Sequence, residues 1–204
     1  MLRLGLTGGV ACGKSTVGAM LAQRGAHYLQ ADTLAHQIYA AGEPTYHAIL
    51  EHFGREILNP DGTINRGRLA NVAFPDRIAE LNAIVHPAVL EAQNRWMADA
   101  ARSDPKGVAV VEAALLLEAG ADKDFDRLLV VTCNLDQKVA RYAQRAGISL
   151  DEARAEVQRR SAAQFSDEKK ASHADYVIDN SGSIEDTTEQ VDSLWAKLYG
   201  PPAH

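Results

Sequence analysis

Cysteine is scarce in this sequence of 204 residues, and so are blocks of positive charge and long apolar runs. The two cysteines are too few for a disulfide framework and are typical of a protein in a reducing compartment. No lysine- or arginine-rich block occurs and the formal net charge is −6, which argues against duplex nucleic acid as a partner. No apolar run could span a membrane, and residues 2–6 are too few for a signal segment. These absences predict a soluble cytoplasmic protein.

The composition is otherwise that of an ordinary globular protein, with 46% hydrophobic and 24% charged residues. This length suits one α/β domain with insertions, or two smaller domains. Short apolar runs alternate with helical stretches, a pattern typical of strands buried on both faces of a parallel sheet. The runs are Leu2–Leu6, His27–Leu29, Val108–Val111, Leu128–Thr132 and Tyr176–Ile178. The sequence therefore predicts an α/β fold with a five-stranded parallel sheet flanked by helices.

Helical signals fall between these runs. Residues 184–198 repeat apolar side chains at helical spacing, and Gly200-Pro201 beyond them predicts a stop. Pro75-Asp76 opens a long helical stretch that reaches about Ala101. We expect an interruption near His86-Pro87, because proline begins a new helix or kinks an existing one.

The segment between the second and third predicted strands, residues 33–106, is far longer than a crossover requires. In an open α/β sheet, extra chain at this position usually builds a substrate region over the carboxyl ends of the strands. The alternative is a helical subdomain with no part in binding, although such connections commonly carry function.

Residues 8–16, GGVACGKST, contain the pattern Gly-x-x-x-x-Gly-Lys-Ser of a phosphate-binding loop (P-loop). Glycine lets the backbone curl so that successive N–H groups point at phosphate oxygens, and the helix that follows adds its positive dipole end. Lysine supplies a flexible charge for the β- and γ-phosphates, and the serine hydroxyl is a ligand for Mg²⁺. The predicted nucleotide contacts are Gly9, Val10, Ala11, Cys12, Gly13, Lys14, Ser15 and Thr16.

Two carboxylates follow predicted strands: Asp32 comes after the second and Glu112 after the third. Because the carboxyl ends of parallel strands lie on one edge of a sheet, we expect both near the P-loop. Asp32 suits a group that orients an attacking hydroxyl and accepts its proton late, and it equally suits a helix N-cap. Glu112 suits a carboxylate that holds a water on Mg²⁺, and a solvated loop acid is the alternative.

Arg141 and Arg145 are four residues apart in a predicted helix over 137–145 and therefore share one face. Planar guanidinium groups suit the oxygens of a transferring phosphoryl group. The pattern indicates a mobile lid over the nucleotide. A solvated basic helix face is the alternative, and it fits Arg154 and Arg159 better.

His86 and Cys12 have ordinary structural explanations. His86 is typical of a packed or capping histidine, and Cys12 of a small residue filling space in the loop. An exposed Cys12 would be a reactive thiol, because the amides that attract phosphate also stabilise a thiolate.

Several segments, in this order along nearly the whole chain, resemble the dephospho-coenzyme A kinase family. The P-loop alone is shared by many nucleotide-binding proteins, whereas the other segments are far more specific. The matching segments are Leu6-Thr7-Gly8-Gly9-Val10, Gly13-Lys14-Ser15-Thr16, Ala31-Asp32, His52-Phe53-Gly54, Asp61-Gly62, Leu81-Asn82, His86-Pro87, Leu115-Leu116-Leu117-Glu118, Gln137 with Arg141 and Arg145, Gln164, and Ala174-Asp175-Tyr176-Val177-Ile178 with Asn180.

This resemblance implies phosphorylation of the ribose 3′-hydroxyl of dephospho-CoA by ATP with Mg²⁺. We expect a monomer or small homo-oligomer. It implies a core of residues 1–32, 107–135 and 166–204, a helical substrate-binding insertion at 33–106 and a lid at 136–165. The implied catalytic residues are Asp32, Lys14 and Arg141, with Arg145 and Asn180 at the nucleotide and Ser15 and Glu112 at the metal. The implied acceptor contacts are Thr7, Asp32, His86, Leu115 and Glu118.

The chain departs from the family pattern at three places. Gln30-Ala31-Asp32 stands where Asp-Ala-Asp is frequent, so any role of the first carboxylate is absent. Ala114 stands where proline is usual, and Ala11-Cys12 replaces Gly-Ser inside the loop. None of these changes removes a group that phosphoryl transfer needs.

Two other functions fit the P-loop. One is a different small-molecule kinase with a nucleotide-like acceptor. The other is a nucleotide-dependent switch or ATPase, but the sequence lacks an Asp-x-x-Gly element after the third strand and a guanine-specifying Asn-Lys-x-Asp.

Overall fold

The computed structural model describes residues 1–74 and 76–199, and the side chains of all of these except 35 and 36. Pro75, Gly200 and Pro201, for which the sequence predicts helix boundaries, lie outside the described residues. Within the described part of the chain, no helix is long and apolar enough to cross a membrane.

The sheet has five parallel strands in the order β2-β3-β1-β4-β5, which confirms the predicted fold class. The central strand β1 has a fully buried stretch from Leu4 to Gly8, as the continuous apolar run predicts. The strands are β1 (Leu2–Gly8), β2 (His27–Gln30), β3 (Val108–Glu112), β4 (Arg127–Thr132) and β5 (Tyr176–Asp179).

The described residues form nine α-helices, four of which lie in the segment between β2 and β3. They are α1 (Lys14–Gln23), α2 (Ala31–Ile38), α3 (Pro44–Phe53), α4 (Arg66–Ala73), α5 (Ile78–Ser103), α6 (Leu135–Ala146), α7 (Leu150–Ala162), α8 (Asp167–Ala171) and α9 (Ile184–Tyr199). Short 3-10 helices cover Arg55–Ile57 and Ala121–Asp124.

The main core lies where α1 and α9 pack on one face of the sheet. Alternate residues of β1 and β3, such as Leu4 and Val110, meet Val17 of α1 and Val191 of α9. All four side chains are completely buried, so period-2 strands and amphipathic helices combine in one apolar layer.

The chain divides into two compact units. The first contains the sheet and comprises residues 1–30 together with the described residues from Ala100 onward. The second comprises residues 31–99 and has its own apolar core, with Ile49, Ile57 and Phe53 among its most buried side chains.

A new helix does not begin at His86-Pro87, because α5 continues through Pro87, so that form of the predicted interruption is wrong, and the alternative of a kink stays a prediction. Proline removes one helical N–H and leaves the carbonyl of residue 83 without its usual partner. Pro87 and Ala83 are both exposed, so water can satisfy that carbonyl. The packing of Val85 into the core of the second unit stabilises the helix at this point.

Candidate active site

The P-loop connects β1 to α1 and contains three residues with positive φ. Gly13, the N-cap of α1, has φ 91° and ψ 27°, Ala11 has φ 54° and Gly8 has φ 152°. At Gly8 a Cβ atom would lie 2.2 Å from the carbonyl oxygen of Val131, so this turn passes too close to β4 for any side chain. The glycines of the motif are therefore required by the backbone path.

Lys14 lies across this loop. Its Nζ donates hydrogen bonds to the carbonyl oxygens of Gly8 at 3.1 Å and Gly9 at 3.0 Å. The half-buried ammonium group is thereby held beside the amides at the start of α1, which places a positive charge and a helix N-terminus together.

Asn180, just after β5, fastens the other side of the loop. Its Nδ2 donates to the carbonyl oxygen of Cys12 at 2.8 Å, and its Oδ1 accepts from the hydroxyl of Thr187 at 2.8 Å. A Cβ at Gly13 would lie 2.1 Å from the same Nδ2. Asn180 is 3% exposed and supports the loop from inside the protein. Its predicted contact with adenine stays a prediction.

A cavity of about 360 Å³ opens over the P-loop and the start of α1. All eight of its lining residues are predicted site residues: five come from the P-loop and the start of α1, one acid comes from β3, and two arginines come from α6. Its lining residues are Ala11, Gly13, Lys14, Ser15, Thr16, Glu112, Arg141 and Arg145.

Arg141 and Arg145 are the two predicted arginines that reach this cavity. Nη1 of Arg141 lies 3.5 Å from the carbonyl oxygen of Cys12 and 3.4 Å from Sγ of Cys133. The guanidinium of Arg145 stacks 5.3 Å from the ring centre of Tyr142. Both side chains thus border the P-loop from one helix face, as their spacing predicts.

The later arginines, all in α7, form ion pairs with acids of α6 and α7. Arg154 forms an ion pair with Asp136 at 2.9 Å. Arg159 and Arg160 share Glu156, and their hydrogen bonds lower the pKa of that carboxyl to about 2. These contacts agree with the solvated basic face that the sequence favours for Arg154 and Arg159.

Glu112 ends β3 at the cavity and is contacted by Tyr28 of β2, a residue that the sequence analysis missed. The Tyr28 hydroxyl donates to Oε2 of Glu112 and accepts a hydrogen bond of 2.9 Å from Nε2 of Gln30. The pKa of the Tyr28 phenol is raised well above its usual range by burial and by its bond to Glu112. The position of Tyr28 two residues before Gln30 on one strand face is the only sequence signal for this contact.

Thr7 and Glu118, predicted as acceptor contacts, are engaged inside the protein. Thr7 is completely buried and its hydroxyl donates to the carbonyl oxygen of Ala114 at 3.3 Å. Oε1 of Glu118 accepts from the backbone N–H of Phe165 at 2.7 Å. Direct contact between either side chain and a substrate is therefore not supported by this structure, whereas Leu115 is 50% exposed.

Lys170 explains the position of Glu118. This lysine has no exposed surface, and its Nζ lies 3.0 Å from Oε1 of Glu118 and 2.8 Å from the carbonyl oxygen of Ala114. Burial raises the pKa of Glu118, but the bonds from Phe165 and Lys170 more than offset this and hold it below its ordinary value. The buried pair is a structural element under β4, where α8 packs.

Asp32 and His86 belong to the second unit, and both are exposed. Asp32 is the second residue of α2 and lies in its first turn, two positions after β2 ends. It is therefore not an N-cap, since α2 already begins at Ala31. A carboxylate in a first turn interacts favourably with the helix dipole.

Cys12 and Cys133 are unpaired and buried. Burial raises the pKa of the Cys12 thiol, and the nearby Lys14 charge opposes this only in part. The sequence predicts a reactive Cys12 only if this residue is exposed, and it is buried. Its side chain instead packs in the main core beside Val17.

The comparison with known families gives one result for nearly all of the chain. The family model described as dephospho-CoA kinase matches residues 2–186. The chain belongs to the dephospho-CoA kinase family. The resemblance inferred from the sequence is thereby confirmed.

Individual relatives agree with this assignment. A dephospho-CoA kinase of Geobacter metallireducens is 44% identical over 197 residues, which are 96% of this chain and 96% of the relative. A crystal structure of a Thermus thermophilus protein has a TM-score of 0.78 at 31% identity and covers 98% of both chains. The dephospho-CoA kinase of Campylobacter jejuni has a TM-score of 0.69 at 24% identity, with 97% of this chain and 96% of that chain covered, which supports the fold alone.

Proposed function

We propose that this protein transfers the γ-phosphoryl group of ATP to the ribose 3′-hydroxyl of dephospho-CoA, giving ADP and coenzyme A. The observation that carries the proposal is the 360 Å³ cavity, which combines a P-loop with Glu112, Arg141 and Arg145 in a member of this kinase family. The β–γ phosphoanhydride bond breaks as the 3′-oxygen bonds to phosphorus and releases its proton.

The P-loop binds the triphosphate through its backbone amides. Lys14 gives up its bonds to the carbonyls of Gly8 and Gly9 and pairs with β- and γ-phosphate oxygens instead. Asn180 acts through the loop, because its bond to the Cys12 carbonyl keeps the curl that points the amides inward. The site is thereby largely preformed before nucleotide arrives.

The oxygen donors at the cavity suit Mg²⁺. The Ser15 hydroxyl is exposed at the start of α1, and Glu112 lines the same cavity. Within the described residues no group of three or more His, Cys, Asp or Glu side chains could hold a metal by itself. This fits an ion that keeps several waters and phosphate ligands, with Ser15 as its direct protein ligand and Glu112 on a bound water. When bound, Mg²⁺ neutralises charge on the β- and γ-phosphate oxygens.

Arg141 and Arg145 stabilise the transferring group. Charge accumulates on the phosphoryl oxygens in the transition state, and two guanidinium groups at the cavity favour that state over the ground state. We place them on a lid of residues 136–165, whose two helices α6 and α7 pack together through Tyr142, Ala153 and neighbouring apolar residues.

Asp32 orients the acceptor and takes its proton. The side chain is exposed at the start of the 31–99 unit, directly after a strand whose carboxyl end lies on the edge of the sheet where the P-loop begins. We expect the remainder of that unit, including His86, to contact the rest of dephospho-CoA together with Leu115. We place the reaction in the cytoplasm, where two unpaired cysteines remain reduced.

Purified protein, ATP, Mg²⁺ and a panel of acceptors test the proposal. We expect rapid ADP release with dephospho-CoA, a product carrying a 3′-phosphate, and only background release with AMP, shikimate or no acceptor. Transfer to AMP in preference to dephospho-CoA would favour a different small-molecule kinase. Hydrolysis at the same rate with and without every acceptor would favour a switch or ATPase.

A further inference from the structure

Four residues of the sheet-bearing unit form a support for Glu112. They are Gly18 of α1, Tyr28 and Gln30 of β2, and Glu112 itself. The register pairs Tyr28 with Val110 and Gln30 with Glu112 on neighbouring parallel strands. Paired residues and alternate residues of a sheet project from the same face. The side chains of Tyr28, Gln30 and Glu112 therefore all project from the face that α1 covers.

The hydroxyl of Tyr28 both donates and accepts a hydrogen bond. It donates its single proton to Oε2 of Glu112 and accepts from Nε2 of Gln30 at 2.9 Å. A phenol that is tethered at both its donor and its acceptor side has one orientation, and so does the carboxylate oxygen that it holds. Among the described residues, Oε1 of Glu112 has no hydrogen-bond partner, while the residue lines the P-loop cavity.

Gly18 provides a second, independent observation. Glycine inside a helix destabilises it by about 1 kcal/mol relative to alanine, so a buried glycine in α1 calls for a reason. A Cβ at this position would lie 2.4 Å from two ring carbons of Tyr28. Because Gly18 has no side chain, the helix that carries Ser15 and Thr16 packs directly against the Tyr28 ring. This packing fixes the position of the Tyr28 hydroxyl relative to Glu112.

We infer that Tyr28 is a positioning residue for the metal-bound nucleotide: its hydroxyl fixes Oε2 of Glu112 and thereby leaves Oε1 oriented for a water on Mg²⁺. Outer-shell partners of this kind raise metal affinity by orienting the group that contacts the metal or its water. Gln30, which stands where the family frequently has an acid, is part of the same support and orients the phenol. The inference rests on the proposed function only in that the cavity binds nucleotide with a divalent cation.

Titration of Mn²⁺ by electron paramagnetic resonance, with ADP present, measures the effect without any acceptor. Tyr28→Phe keeps the ring against Gly18 and removes only the hydroxyl. We expect Mn²⁺ affinity of the ADP-bound protein to fall about tenfold, the lower end of the range for outer-shell partners. ADP affinity measured in EDTA is expected to stay unchanged, because Tyr28 does not line the cavity.

Glu112→Gln and the double variant show whether the two residues act together. We expect Glu112→Gln to weaken Mn²⁺ binding at least as much, and Tyr28→Phe to add no further loss in that background. Tyr46→Phe is the matched control, since it removes a hydroxyl that donates at 2.7 Å to the Gly62 carbonyl in the 31–99 unit. It should leave Mn²⁺ affinity unchanged.

Unaltered Mn²⁺ affinity in Tyr28→Phe would overturn the inference. So would an equal loss of ADP affinity in EDTA, which indicates general damage to the P-loop, or a further tenfold loss in the double variant. The acceptor assay is separate: wild-type protein that fails to phosphorylate dephospho-CoA but shows the Tyr28 effect would refute the proposed function and leave this inference standing.

Discussion

Asn180 and Cys12 are joined by a hydrogen bond of 2.8 Å between a side-chain amide and a backbone carbonyl, 168 residues apart in sequence. The bond ties the end of β5 to the middle of the P-loop. Thr187 fixes the same amide from the opposite side, and both residues are buried. The shape of the phosphate site therefore depends on a residue with little surface of its own.

Replacement of Asn180 by alanine is expected to weaken both the fold and nucleotide binding. The change removes the main donor to the Cys12 carbonyl, which keeps only a 3.5 Å contact with Arg141, and the Thr187 hydroxyl keeps only its bond to the Ser183 carbonyl. We expect a loss of about 1–3 kcal/mol in the free energy of unfolding. Urea unfolding and ADP titration measure the two effects. Thr188→Ala is the control, because its exposed hydroxyl bonds the Ile184 carbonyl within α9, and we expect a change below about 0.5 kcal/mol. Unchanged ADP affinity in Asn180→Ala would show that the loop holds its shape without this bond.

Lys170→Met is expected to destabilise the protein by about 3–5 kcal/mol, since it leaves the Glu118 carboxylate buried without its cation. The double variant Lys170→Met/Glu118→Gln should recover part of this loss, because no charge is then left unpaired. Arg95→Met breaks an exposed pair with Glu91 at 3.8 Å and should cost less than about 1 kcal/mol. Urea denaturation at pH 7 compares the three, and equal losses at Lys170 and Arg95 would contradict the role of burial.

The same pair predicts a pH dependence. The pKa of Glu118 in the folded protein lies below its ordinary value of 4.5, so the native state holds the charged form more strongly than the unfolded state. Its contribution is therefore fully present above pH 4.5 and is lost as the pH falls through the lowered pKa. Unfolding free energies from pH 7 to pH 3 should fall more steeply in wild type than in Glu118→Gln. Parallel curves for the two proteins would exclude Glu118 as a source of the pH dependence of stability.

Cys12 is expected to resist alkylation in the native protein. Its thiol is completely buried and burial raises its pKa, so both access and thiolate are lacking at pH 7. Iodoacetamide followed by mass spectrometry should label Cys12 within minutes in 6 M guanidinium chloride and hardly at all without it. Fast native labelling at Cys12, with the rest of the protein folded by circular dichroism, would show that the loop opens.

The sheet and the P-loop could be predicted because local signals determine them. Apolar runs mark the five strands, and the Gly8 and Gly13 spacing reflects a backbone path that no side chain permits. The family segments extended this to the kinase family, which the match over residues 2–186 confirms.

Contacts that depend on strand register or on burial could not be predicted from the sequence. The Tyr28–Glu112 bond exists because Gln30 and Glu112 are register partners, and the register is not marked by either residue alone. Lys170 lies in a polar run of the sequence and is nevertheless completely buried, because its charge is neutralised by Glu118, which lies 52 positions earlier in the sequence. The continuation of α5 through Pro87 likewise follows from tertiary packing of its flanks.

Asp32→Asn separates catalysis from binding more sharply than any other single change. Loss of a general base lowers turnover by about 10²–10⁴-fold, and asparagine keeps the size and hydrogen-bonding shape of the side chain. We expect that drop in kcat with dephospho-CoA, together with unchanged ADP affinity, because nucleotide binding belongs to the P-loop. Asp151→Asn is the matched control: it alters another exposed acid in the first turn of a helix and should change neither quantity.

Stability measurements complete the comparison of the two variants. Each removes one favourable carboxylate–dipole interaction, so each should lose about 0.3–1 kcal/mol, and this common loss cannot account for a difference in turnover. Because Asp32 and Asp151 share exposure and helix position, a selective fall in kcat isolates the chemical role of Asp32. Near-normal turnover in Asp32→Asn would mean that the 3′-hydroxyl loses its proton to water or to a phosphate oxygen, and that the carboxylate serves only the helix dipole.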